Sequence, residues 1–146
     1  MCGLRTPVLA LCAELRQELA EIIKTKIPEQ DYLVVDVRDD DYVGGNIKNA
    51  INLPSRDFQM GVNSLVQKHA DVKVMIFHCA LSQIRGPKAA RIYDETRNNL
   101  GLALDKPQEV YVLRDGFTGF QRKFKDDPAL VEGWDEEVWA NAEDWS

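Results

Sequence analysis

The sequence predicts an α/β fold in which a mostly parallel sheet is covered on both faces by helices. Short apolar runs alternate with segments of helical periodicity, the pattern a doubly covered parallel sheet leaves in its sequence. One of those runs, Lys73-Val74-Met75-Ile76-Phe77-His78, leads straight into a cysteine, a Gly-Pro pair and a helical segment. That order places a reactive side chain at the carboxyl end of a strand, where open α/β sheets bind their ligands. With 146 residues, 45% of them hydrophobic, the chain is long enough to close a core as one domain over residues 1–146.

The elements follow in chain order. Residues from Pro7 to Lys24 read as a helix with Leu15, Leu19, Ile22 and Ile23 on one face and Thr6 as its cap. Pro28-Glu29-Gln30-Asp31 ends it, and Tyr32-Leu33-Val34-Val35-Asp36-Val37 reads as a central strand. Arg38-Asp39-Asp40-Asp41 and Gly44-Gly45 mark a turn, Ala50 to Leu53 a short second strand, and Pro54 its stop. Ser55 is placed to cap a helix carrying Phe58, Val62, Leu65 and Val66 at helical spacing. The Lys73–His78 strand comes next, then a helix from Pro87 through Thr96, a strand over Glu109–Leu113 and a short amphipathic helix over Gly116–Phe124. The acidic segment over residues 125–146 holds Trp134, Trp139 and Trp145, which are expected to fold back over the edge of the core.

Composition narrows the function. A net charge of −6 disfavours nucleic acid, and no apolar run approaches the length of a membrane span. No basic segment followed by a sustained apolar stretch opens the chain, so a secretory signal is not expected. Three cysteines without a Cys-x-x-Cys pair argue against a disulfide framework or a structural zinc site, and no metal or cofactor is expected. A reducing compartment follows, the cytoplasm with the nucleus as a second location.

The chemistry concentrates between His78 and Pro87. A cysteine thiolate becomes a good nucleophile beside a positive charge, a helix N-terminus or a ring of backbone N–H groups, and this segment is able to supply all three. Cys79 is the candidate nucleophile and Arg85 the candidate planar fork for two oxygens of a phosphate or arsenate. The N–H groups of Ala80, Leu81, Ser82, Gln83, Ile84 and Arg85 are the candidate cradle for a tetrahedral oxyanion. Ser82 is expected to hydrogen-bond the thiolate, and His78 to support the site from behind. His69, at a helix end, is expected to be solvated. Asp36 and Arg38 are expected to form an ion pair at the sheet's end. Asp39, Asp40, Asp41 and Asp57 are candidate acids by their place near the sheet's carboxyl end but read better as solvated carboxylates, and Tyr42 and Phe117 read as packing residues rather than substrate contacts.

Several of these segments resemble a known family. Val34-Val35-Asp36-Val37-Arg38 and Tyr42 through Asn52 look like the opening of a rhodanese-fold domain, and Val112-Leu113-Arg114-Asp115-Gly116-Phe117 like its closing strand and helix. His78-Cys79 through Arg85-Gly86-Pro87 is similar to the active loop of M-phase inducer type phosphatases and of the fungal arsenate reductases that share their fold. The likeness covers residues 33–124 and implies a rhodanese-like three-layer sandwich with a sheet of about five strands. Five residues separate Cys79 from Arg85, one more than is typical of sulfurtransferase rhodaneses, which favours a phosphate- or arsenate-sized cradle over one for thiosulfate.

Three departures stand out. Val37 occupies the position where M-phase inducers usually have a second cysteine, the loop carries no acidic residue, and Asp115 replaces a frequent glycine. The resemblance implies a phosphatase for phosphotyrosine or another phosphate monoester, acting through a phosphocysteine on a phosphorylated protein or small oxyanion. The alternative is an arsenate reductase completed by glutathione or glutaredoxin. Sulfur transfer and a non-catalytic anion-binding domain stand behind these.

Overall fold

The computed structural model describes residues 15–82, 84–102 and 107–141. Helix α1 (Leu15–Thr25) precedes strands β1 (Tyr32–Asp36), β2 (Asn46–Ile47) and β3 (Ile51–Asn52). A 3-10 turn (Ser55–Asp57) leads into α2 (Phe58–Lys68), followed by β4 (Val74–His78), α3 (Arg85–Asn99) and β5 (Glu109–Val112). Helix α4 (Gly116–Phe124), β6 (Val131–Glu132) and α5 (Glu136–Asn141) complete the order. The helix start predicted at Pro7 and the cap at Thr6 lie outside the described residues, as do Cys2, Cys12, Gln83 and Trp145.

The central sheet runs β3-β1-β4-β5 with every neighbour parallel. All of β1 is buried, as is β4 beyond Val74, because helices cover both faces of a parallel sheet. Helices α2 and α3 pack against each other, and α3 lies across β4 and β5. Phe58 of α2 and Tyr93 of α3 both contact the ring of Phe77 on β4. The expected sheet of about five strands has four among the described residues. The other two, β2 and β6, pair antiparallel with each other as a separate ribbon.

Register matters most for function. Asp36 lies beside His78, so β1 and β4 end level with one another. The acidic turn after β1 and the cysteine loop after β4 therefore leave the sheet at the same carboxyl end.

Two polar residues differ from expectation. Ser55 does not cap α2; its hydroxyl donates to Asp39 Oδ2 at 2.5 Å, drawn across to the loop after β1. His69 is buried rather than solvated, because α2 ends against the Gln108 side chain, whose amide donates to the His69 and Val72 carbonyls.

The C-terminal aromatics pack as expected where they are described. The Trp134 indole donates to Gln121 Oε1 at 2.7 Å, and the Trp139 indole to the Gly44 carbonyl at 2.8 Å. Trp139 also lies 5.7 Å from the Phe117 ring. Gly44, at φ +78°, leaves no room for a side chain, since a Cβ there would come within 2.7 Å of the Trp139 indole nitrogen. Trp139→Ala removes this clamp and is expected to cost about 2 kcal/mol, read as a lower denaturant midpoint at unchanged m-value.

Candidate active site

Cys79 follows β4 directly, and the start of α4 fixes its peptide groups. Phe117 N–H donates to the Cys79 carbonyl at 3.0 Å and Thr118 N–H to the Ala80 carbonyl at 2.9 Å. A trans peptide points its N–H opposite to its C=O, so the N–H groups of Ala80 and Leu81 are turned away from α4. Gly116 makes this approach possible: a Cβ there would sit 2.3 Å from the Cys79 carbonyl oxygen and 2.4 Å from that of Ala80.

The chain then tightens around the sulfur. Ser82 adopts a left-handed conformation at φ 55°, which aims its backbone N–H at Cys79 Sγ, 3.1 Å away. In return, Cys79 N–H donates to Ser82 Oγ at 3.2 Å. The expected bond from Ser82 to the sulfur is therefore present, but it comes from the main chain. The Ser82 hydroxyl oxygen is used to close the turn. Cys79 itself is fully buried, at 0% exposure. Leu81 is half-buried, Ala80 buried, and Ile84 projects outward at 68% exposure.

Helix α3 begins at Arg85, two positions before Pro87. Pro87 still falls within the first turn, where a missing N–H breaks no helical bond. Arg85 is thus the first residue of a helix whose positive end faces the cysteine turn.

Its guanidinium does not stand alone. Nη1 and Nη2 donate to Asp41 Oδ1 and Oδ2 at 2.9 and 2.7 Å, and Nη1 also reaches Asp39 Oδ2 at 3.2 Å. The Asp41 hydrogen bonds and charge outweigh partial burial and raise the Arg85 pKa. Burial pushes the Asp41 carboxyl up, but the bonds and charge of Arg85 hold it below the ordinary carboxylate value. The same opposition lowers Asp39, with Ser55 and the Arg56 N–H contributing ahead of Arg85.

These two aspartates correct the expectation of a solvated acidic turn. Asp40 does fit it, meeting the exposed Arg56 at 3.0 Å. The signal for the other two lay in topology: loops after adjacent parallel strands emerge side by side.

Behind the loop lies a buried polar layer. Arg38 and Asp36, both at 0% exposure, pair at 2.8 Å as expected. Arg38 also donates to the Gly45 carbonyl at 2.8 Å and the Val43 carbonyl at 3.3 Å, between the rings of Tyr42 and Phe117. These bonds fix the loop that carries Asp39 and Asp41. His78 Nδ1–H donates to the Cys79 carbonyl at 2.9 Å, and its Nε2, 3.8 Å from Asp36, has no hydrogen-bond partner among the described residues. The imidazole therefore supports the strand end from the side of the ion pair.

Burial lowers the pKa of both His69 and His78 below the ordinary 6.5. Each binds a proton less readily folded than unfolded, so acidification favours the unfolded chain. Stability is expected to be complete above pH 6.5 and to decline as pH falls toward the lowered folded values, well before the carboxylates titrate. Thermal unfolding between pH 7.5 and 5 checks this, and His69→Gln should flatten part of the decline.

Residues 17–123 match the family described as the rhodanese-like domain. The chain belongs to that family. Dual specificity phosphatase ibp1 of Schizosaccharomyces pombe is 33% identical over 112 residues, covering 68% of this chain and 81% of that protein. Arsenate reductase 2.1 of Oryza sativa is 30% identical over 97 residues, covering 60% of this chain and 55% of its own. The crystal structure of Saccharomyces cerevisiae Ygr203w, described as a homolog of single-domain rhodanese and the Cdc25 phosphatase catalytic domain, superposes with a TM-score of 0.74. It is 29% identical, and the match covers 99% of this chain and 100% of that one. The α/β sandwich and the rhodanese likeness expected from sequence are both borne out.

Proposed function

We propose that this chain is a cysteine-dependent phosphatase that hydrolyses phosphate monoesters, phosphotyrosine among them, through a phosphocysteine. The observation that carries the reading is Cys79 at the carboxyl end of β4, its sulfur accepting from the Ser82 N–H, with Arg85 as the first residue of α3. Cys79 Sγ attacks phosphorus in line: the S–P bond forms as the bond to the leaving oxygen breaks, and that oxygen takes a proton. Water then attacks the phosphocysteine, the S–P bond breaks, and inorganic phosphate leaves with the thiolate restored. Arg85 and the N–H groups of Ala80, Leu81 and Ile84 stabilise charge on the equatorial oxygens, and the Ser82 N–H stabilises the sulfur as leaving group.

Arsenate reduction is the second reading, favoured by the arsenate reductase relative and by the absence of a carboxylate between Cys79 and Arg85. There Cys79 displaces hydroxide from arsenate, and glutathione attacks the sulfur. Two electrons pass to arsenic, arsenite leaves, and a second thiol from glutathione or glutaredoxin reduces the mixed disulfide. Both chemistries suit a reducing compartment, the cytoplasm or nucleus.

One preparation assayed with an aryl phosphate, with arsenate plus glutathione and glutaredoxin, and with thiosulfate plus cyanide tests the proposal. Phosphate release is the expected result. Arsenite without phosphate release transfers the assignment to the reductase, and thiocyanate alone overturns both.

A further inference from the structure

The one arginine assigned to the oxyanion is already held by two carboxylates, and the way they are held indicates their role. Asp41 grips Arg85 fork to fork through Nη1 and Nη2, and Asp39 adds a third contact through Nη1. Neither carboxylate is a loose surface group. Asp39 Oδ2 accepts from Ser55 Oγ at 2.5 Å and Oδ1 from the Arg56 N–H at 3.1 Å. Asp41 Oδ1 accepts from the Asp39 N–H at 3.0 Å. The turn that carries them is fastened in turn by Arg38 through the Val43 and Gly45 carbonyls.

We propose that Asp41, braced by Asp39 and Ser55, is a positioning residue that fixes the Arg85 guanidinium for oxyanion binding. The inference rests on the proposed reading of Cys79 and Arg85 as the oxyanion site. A guanidinium has two edges with two donors each, Nη1 with Nη2 and Nε with Nη2. Asp41 takes the first, which sets the plane of the fork. A long arginine side chain loses rotamer freedom when it must meet a substrate, and a fork already fixed loses little at that moment. Asp41 sits on the loop after β1 while Arg85 starts α3, so the contact also ties together two segments that leave adjacent strands.

The opposite role is a competitor: Asp41 as an internal stand-in for substrate that must be expelled. Simple electrostatics favours that alternative, because a negative charge beside an anion site repels the anion. The two roles therefore predict effects of opposite sign. The bracing of both carboxylates favours positioning, since a competitor has to swing away and these are fastened in place.

The experiment compares wild type, Asp41→Asn, Asp41→Glu and the surface control Asp40→Asn in the full chain. Steady-state hydrolysis of an aryl phosphate is measured alongside inhibition by inorganic phosphate and thermal unfolding with and without phosphate. For Asp41→Asn, kcat is expected to fall about 10- to 100-fold with a smaller rise in KM, the mark of a group acting mainly in the transition state. Phosphate inhibition should weaken, Asp41→Glu should recover part of kcat, and Asp40→Asn should match wild type. Tighter phosphate inhibition or a higher kcat/KM in Asp41→Asn overturns the proposal in favour of competition. A loss of melting temperature that tracks the loss of kcat, with no recovery in Asp41→Glu, overturns it in favour of a merely structural contact. Should wild type release no phosphate, the phosphatase reading falls by itself. Phosphate-dependent thermal protection then decides the positioning role: its weakening in Asp41→Asn supports the role and unchanged protection overturns it.

Discussion

Cys79→Ser is expected to abolish aryl phosphate hydrolysis, with kcat lowered at least about a thousandfold, because a serine hydroxyl without an adjacent base is a poor nucleophile. The substitution changes little else. The Ser82 N–H that now meets sulfur at 3.1 Å can donate to an oxygen, and the fully buried site keeps its shape. Inorganic phosphate should therefore still protect the variant against thermal unfolding. Arsenate reduction, if that is the reaction, should disappear in the same variant, since both pathways begin with attack by the same sulfur. Residual turnover within about tenfold of wild type would place the nucleophile elsewhere.

Gly116→Ala is expected to have the largest effect on stability, about 3 kcal/mol or more, together with loss of activity. Two separate causes act there. The residue sits at φ +55°, and the added Cβ would stand 2.3 Å from a backbone carbonyl that has no flexible side chain to move aside. Relief requires α4 to retreat from Cys79 and Ala80, which releases the two N–H contacts that set the start of the loop. Gly101→Ala isolates the first cause. Gly101 has φ +75°, and a Cβ there would meet nothing within 4 Å. Its substitution should therefore cost about 1 kcal/mol with activity retained. Equal denaturation midpoints for the two variants would show that the close approach of α4 contributes nothing.

The parts legible in the sequence were those written in neighbouring residues. A run such as Val74–His78 followed by Cys79, Gly86-Pro87 and a helical segment signals strand, loop and helix through local pattern alone. The Asp36–Arg38 pair was legible for the same reason, because the two groups lie only two positions apart where β1 ends. What failed to show were contacts between segments distant in the chain. Ser55 looked like a helix cap because capping is the local use of a serine before a helix, yet its hydroxyl is drawn across to Asp39. His69 looked solvated because it ends an amphipathic helix, and the side chain of Gln108 made that end an interior position.

By itself, then, the amino-acid order determined the parallel α/β sandwich through its periodicity and the family likeness through its short motifs, and it singled out Cys79 and Arg85 as candidates. Only the tertiary structure decided what surrounds that arginine. Asp39 and Asp41 reach it because β1 and β4 are parallel neighbours in level register, a pairing that brings together residues more than forty positions apart. Charge in a sequence says which groups can pair; the register of the sheet selects which of them do.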